Sequence, residues 1–208
     1  MARISAVHEQ CVVKCPYPDD LAIYAPLGCG FQTGAGTILN ILKPKPYHSI
    51  AILGLGSVGF AALMAAKHLQ VKQIIAVDIV AQKLDLAKQF GATHTLDASN
   101  NASLSQEIKK MTNGQGVTFA VDSTGVPKVI QEMIECLSIG GTAASIGAPP
   151  VGTNIQLDVA SFFYMNKSYI SVIEGDSIPK EVRLFMLVHA IFDPYRCSIR
   201  TRQRHSAS

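Results

Sequence analysis

No apolar run in this chain approaches the roughly 20 residues that a membrane-crossing helix needs; the longest, LFMLVHAIF from Leu184, is far too short. A helical membrane anchor is therefore not expected. The opening MARISAVHEQ also lacks the apolar centre of a signal peptide, so a cytoplasmic protein without a membrane partner is expected. Cysteine is sparse and irregular. The five residues Cys11, Cys15, Cys29, Cys136 and Cys197 are an odd number without repeating spacing, which argues against a disulfide framework and favours free thiols. Cys11 and Cys15 form a Cys-x3-Cys pair with no second pair behind it, a poor zinc pattern. Arginine is almost missing before residue 181. Residues 1–180 hold twelve lysines, one arginine and thirteen acids. The whole excess of +3 thus falls in the last 28 residues, which carry five arginines and two acids. That tail, CSIRTRQRHSAS at its end, has no interleaved aromatics, so no nucleic-acid partner is expected and a solvated, disordered end is.

What is present is apolar matter: 48% of 208 residues, enough for one large core and a piece of a second domain. SIAILGLG (49–56) is a short apolar run closed by glycines, the pattern of a buried parallel strand. SVGFAALMAAKHL follows at helical spacing, and KQIIAVD reads as a second buried strand ending at Asp78. AQKLDLAKQFG is an amphipathic helix with Gly91 as C-cap, THTLDA a weak third strand and SLSQEIKKMTNG a surface helix. GVTFAVDSTG gives a fourth strand, and PKVIQEMIECLSIGG a helix with Pro127 at its start and glycines past its end. TAASIGAPP, LDVASFFYMN and KSYISVIEG complete the series as strand, helix and strand. Alternation of this kind predicts an α/β fold: a doubly wound, six-stranded parallel sheet of Rossmann type in the order 3-2-1-4-5-6. Residues 1–30 do not fit this unit. SAVHEQCVVKCP reads as one or two isolated strands and DDLAIYAPLG as a broken helical turn, remnants of a second domain. The expected division is 1–30, 31–179 for the dinucleotide domain, and 180–208 for the tail.

Gly54, Gly56 and Gly59 form G-x-G-x-x-G between the first strand and its helix. Gly54 permits the turn, Gly56 lets backbone approach a pyrophosphate, and Gly59 lets the helix pack close. The N–H groups at the helix start, those of Ser57 and Val58, then face the phosphates with the positive end of the helix dipole. Such a turn also arises for steric reasons alone. Here Asp78 ends the next strand nineteen residues after Gly59, where a carboxylate can accept from both ribose hydroxyls. Its charge favours NAD over NADP; its alternative role is to cap a helix. Lys83 can reach the same ribose or stay solvated. DSTG (122–125) and SIGAPP (145–150) end strands four and five beside the switch point, as nicotinamide-side loops or as plain turns. Cys29, in PLGCGFQTGAGT, can be an apolar filler, half a disulfide or a metal ligand.

Taken in order, PLGCGFQTGAGT, GLGSVG, AVD…K, FGATHT, DSTG, SIGAPP and IEGDSIP resemble the zinc-dependent medium-chain alcohol dehydrogenases, most closely the aryl-alcohol branch, from about Ser5 to Pro179. The resemblance implies an NAD-dependent oxidoreductase that moves hydride between a primary or aromatic alcohol or aldehyde and NAD. It places Gly54, Gly56, Gly59, Asp78 and Lys83 on cofactor positions, and Thr33, Thr124 and Ile146 along the nicotinamide. It makes Cys29 the last of three protein ligands to a catalytic zinc. The other two, a cysteine and a histidine, belong upstream in a separate catalytic domain that this sequence does not contain, so Cys29 is expected to be an orphaned ligand. The resemblance further implies a homodimer through the edge strand near KSYISVIEG. After IEGDSIPKE the text leaves the family pattern, as a shifted frame, retained intron or mis-joined gene model would make it. A non-catalytic NAD-binding module is the rival function. A short-chain dehydrogenase is disfavoured because Tyr164 and Lys167 miss the Tyr-x-x-x-Lys spacing.

Overall fold

The computed structural model of the chain describes residues 5–14, 25–99 and 103–179. Its centre is a six-stranded, all-parallel sheet in the order β3-β2-β1-β4-β5-β6, the doubly wound order expected from the sequence. The strands are β1 (Ser49–Leu53), β2 (Gln73–Asp78), β3 (His94–Asp97), β4 (Val117–Asp122), β5 (Leu137–Ser145) and β6 (Ser168–Ser171). The helices are α1 (Gly30–Gly36), α2 (Ser57–His68), α3 (Ala81–Gln89), α4 (Leu104–Met111), α5 (Pro127–Glu135) and α6 (Val159–Tyr164).

Successive strand residues point to opposite faces, so an unbroken apolar run fills two cores. Ile50 and Ile52 of β1, with Ile74 and Ala76 of β2, pack under α1, α2 and α3. Ala51, Leu53, Ile75 and Val77 pack under α4 and α5. All of β1 beyond Ser49 is fully buried, and each such large aliphatic side chain contributes about 1.5–3 kcal/mol. Helix α2 buries four alanines, Ala61, Ala62, Ala65 and Ala66, beside Leu63 and Met64, and the small side chains let it approach its neighbours closely. At the start of α4, Ser103 accepts from the Gln106 amide and fixes the first turn.

Two local expectations are corrected. Ser5–Lys14 contain no strand; a 3-10 turn at Glu9–Cys11 is capped by His8, whose Nδ1 accepts from the Gln10 amide. The helix from Pro127 stops at Glu135, and LSIGG belongs to β5. There Val117 pairs with Leu137 and Phe119 with Thr142, so the register shifts between them. Gly140, at φ +70, serves that irregularity rather than a helix cap. TGAGTILNIL, outside the expected strand–helix series, is helical and buried at Thr33–Ile38. Helix α1 continues into a wider π-turn, Thr37–Leu42. The readings of 19–24 as a helical turn and of 180–208 as a solvated tail lie outside the described residues, as do Cys15 and Cys197.

Candidate functional site

The turn from β1 into α2 opens with Gly54 at φ +92, a left-handed conformation that side chains with Cβ avoid. A Cβ there would also meet Ser123 Oγ and Thr124 Cγ2, each at 2.7 Å. Gly56 caps α2 with extended backbone and no side-chain bond to the helix. A Cβ on Gly56 would meet nothing within 4 Å. That residue borders open space, and α2 presents its first amides, those of Ser57 and Val58, to it. Gly59 behaves oppositely. Its Cβ would fall 1.9 Å from the Gly54 carbonyl oxygen, so Gly59 lets the helix close on the turn rather than on the sheet. The donors, the positive helix end and the free volume fit a diphosphate.

Asp78 stands at the end of β2, one strand away and almost buried. Its Oδ2 accepts from the Leu55 amide at 2.7 Å and its Oδ1 from the Val80 amide at 3.0 Å. The carboxylate thus ties the glycine turn to the start of α3. A carboxylate oxygen accepts two bonds, which leaves capacity for sugar hydroxyls. Lys83 Nζ lies 3.5 Å from Asp78 Oδ2 and remains 42% exposed, so it joins the same corner as an ion-pair partner.

On the other side of β1, the fully buried Asp122 organises the loop after β4. Its Oδ1 accepts from the Thr124 amide and hydroxyl, and its Oδ2 from the Gly125 amide. Burial pushes this carboxyl above the ordinary carboxylate range, against the pull of those bonds. The Asp122 carbonyl accepts from Ile146 and Gly147, so the loops after β4 and β5 are fastened together. A Cβ on Gly147 would lie 2.7 Å from the Thr124 amide nitrogen. Thr124 and Ile146 therefore sit on one rim that begins at Gly54.

Cys29 is exposed at the N-cap of α1. Its thiol donates to Glu174 Oε1 at 3.4 Å, and Gln32 Nε2 donates to Glu174 Oε2 at 3.4 Å. The hydrogen bond and the negative charge of Glu174 raise the Cys29 thiol above its usual range, and a bond to Thr33 opposes this. This joins Thr33 and Cys29 in one cluster, and Gly30 links the cluster to Ser57: a Cβ on Gly30 would meet Ser57 Oγ at 2.8 Å. The ten cofactor positions expected from the sequence thus lie along one end of the sheet, at the C-terminal ends of its strands, where β1 separates the two halves. Sequence reading missed Asp122 and Glu174 as organisers; both stand in quoted motifs, DSTG and IEGDSIP.

For a metal the fit is poor. Among the described residues no group of three or more His, Cys, Asp or Glu could hold a metal ion, whereas a catalytic zinc takes three protein ligands. Cys11 is exposed and free, and Cys136 is buried and free, its thiol pushed up to about 12 by burial. No helix among the described residues is long and apolar enough to cross a membrane.

A family model for zinc-binding dehydrogenases matches residues 57–188. The geraniol dehydrogenase of Castellaniella defragrans is 35% identical over 160 residues, covering 77% of this chain and 43% of the relative. An alcohol dehydrogenase zinc-binding domain protein from Burkholderia ambifaria superposes with TM-score 0.80 at 37% identity, over 88% of this chain and 50% of that one. The benzyl alcohol dehydrogenase of Acinetobacter calcoaceticus gives 0.77 at 37% identity, over 92% and 56%. The chain spans about half the length of these proteins. The family model's match spans more than half of the chain, and the chain belongs to the zinc-binding dehydrogenase family.

Proposed function

We propose that this chain is the cofactor-binding part of an NAD-dependent oxidoreductase that interconverts a primary or aromatic alcohol and its aldehyde. The observation that carries the reading is the corner at Gly56: open volume at the N-terminus of α2, and a nearly buried carboxylate from the neighbouring strand bonded to the turn. When bound, the dinucleotide supplies a hydride acceptor. The protein's part is positional. Ser57 and Val58 amides hold the diphosphate, Asp78 accepts from the adenosine ribose, and Lys83 steadies that carboxylate. Thr33, Thr124 and Ile146 border the nicotinamide. A negative group at Asp78 repels a 2′-phosphate, so NAD is preferred over NADP.

The substrate class is supported by the geraniol and benzyl alcohol dehydrogenases among its relatives, both named for primary alcohols. A second reading, NAD binding without turnover by this chain, is favoured by the metal-ligand set: the described residues bring only Cys29 and Glu174 to the cluster. The subunits are proposed to pair as a cytoplasmic homodimer through β6. Titration with NADH and NADPH, followed by assay with benzyl alcohol, NAD and zinc, separates these readings. Saturable NADH binding with much weaker NADPH binding is expected. Failure to bind NADH at millimolar concentration overturns both readings, whereas binding without turnover leaves the second.

A further inference from the structure

Beyond β6 the backbone does something costly. Glu174, Gly175 and Asp176 follow one another at φ +53, +66 and +47, and two of the three carry a side chain that disfavours this region by roughly 1–2 kcal/mol each. The turn persists because it is clamped onto α1. A Cβ on Gly175 would lie 2.7 Å from the Gln32 carbonyl oxygen, 2.8 Å from Gly36 Cα and 2.9 Å from the Thr33 carbonyl oxygen. Asn40 Nδ2 lies 3.1 Å from the Gly175 oxygen, the Asp176 oxygen and Ser177 Oγ.

The clamp sets one carboxylate against Cys29 and Gln32. No lysine or arginine among the described residues forms an ion pair with it. This carboxylate, with no ion pair among the described residues, stands next to Thr33 and past the C-terminal end of the sheet, on the side where the second half of a dinucleotide is read to lie. The nicotinamide ring carries a positive charge when oxidised and none when reduced.

We propose that Glu174 sets the oxidation-state preference of the site: its carboxylate favours NAD+ over NADH, and so favours loss of NADH after alcohol oxidation. The inference rests on the cofactor reading above. It concerns a positioning charge, not a group that reacts. Its sign follows from Coulomb attraction to the oxidised ring alone, moderated by the exposure of Glu174.

Calorimetric titration of the full chain with NAD+, NADH and ADP-ribose tests it, ADP-ribose having no nicotinamide. In Glu174→Gln, NAD+ affinity is expected to fall about three- to tenfold while NADH and ADP-ribose stay within about twofold. Glu174→Asp, which keeps the charge, should retain most of the original ratio. An unchanged NAD+/NADH ratio in Glu174→Gln, or an equal loss for ADP-ribose, overturns the proposal. If the unsubstituted chain ignores ADP-ribose, the cofactor reading fails and this inference falls with it; if it binds ADP-ribose, the ratio alone decides.

Discussion

Gly56 and Gly59 are three residues apart in one motif and do opposite work, which substitutions can separate. Gly56→Ala places a methyl in open volume on permissive, extended backbone. Its melting temperature should stay near that of the unsubstituted chain, with stability changed by less than about 0.5 kcal/mol, while NADH affinity drops at least about tenfold because the methyl fills the approach to the phosphates. Gly59→Ala drives a methyl into the Gly54 carbonyl and should cost about 3 kcal/mol or more. Thermal melts beside NADH titrations decide; a Gly56→Ala chain that binds NADH normally would remove the phosphate role. Asp122 allows a second test at this scale. Its folded-state pKa is raised, chiefly by burial, so between the ordinary carboxylate value and that raised value the folded chain holds more proton than the unfolded one. Stability from this group therefore falls as pH rises through that window and is flat above it. Asp122→Asn removes the slope but turns an NH2 toward the amides of Thr124 or Gly125, costing about 1–3 kcal/mol. The difference between the two stability–pH curves should be largest in acid; parallel curves would contradict it.

At the scale of elements, the strands and most helices were legible because each leaves a short-range mark: a buried apolar run, helical spacing, Pro127 at a helix start. Helix α1 left none. GFQTGAG is rich in glycine, which costs about 1 kcal/mol per residue in a helix, so its local preference is against one. The structure spends that propensity on contact. A Cβ on Gly34 would fall 2.0 Å from the Val58 carbonyl oxygen, and one on Gly36 would fall 2.5 Å from the Gly175 carbonyl oxygen. Long-range packing overrode local preference, and a single sequence does not display it. LSIGG failed for a related reason: its glycines suit a helix end or an irregular strand start equally, and only pairing with β4 decides. Asn40 tests the clamp between α1 and the turn after β6. Asn40→Ala removes its contacts with Gly175, Asp176 and Ser177 and is expected to lower stability by about 1–3 kcal/mol. Hydrogen exchange should quicken at residues 173–177 before the sheet is affected. Uniform exchange across the chain would show that the turn is not a separable unit.

For the whole molecule, the cofactor corner could be read ahead because its parts lie within one βαβ unit, whereas the partner of Cys29 lies 145 residues away and no local pattern announces it. The same division applies to assembly. Both sheet edges, β3 and β6, offer unpaired backbone groups, but they differ in what flanks them. Beside β6, Val159, Phe163 and Tyr164 of α6 are 75%, 78% and 82% exposed, a grouping of large apolar side chains that water does not favour. Beside β3, the exposed neighbours include the ion-paired Asp85 and Lys88 of α3. A two-fold pairing at β6 would bury the apolar set and satisfy the edge in one step, because a two-fold interface presents the same patch twice. The chain is therefore expected to sediment at twice its 22.3 kDa. Phe163→Glu should shift it to the monomer mass with little change in intrinsic stability, since the side chain is exposed within one subunit. The equivalent change at the other edge, Leu96→Glu on β3, should lower stability without altering mass, because Leu96 packs against the second core. A dimer that survives Phe163→Glu, or a monomer from the outset, would place the interface elsewhere or remove it.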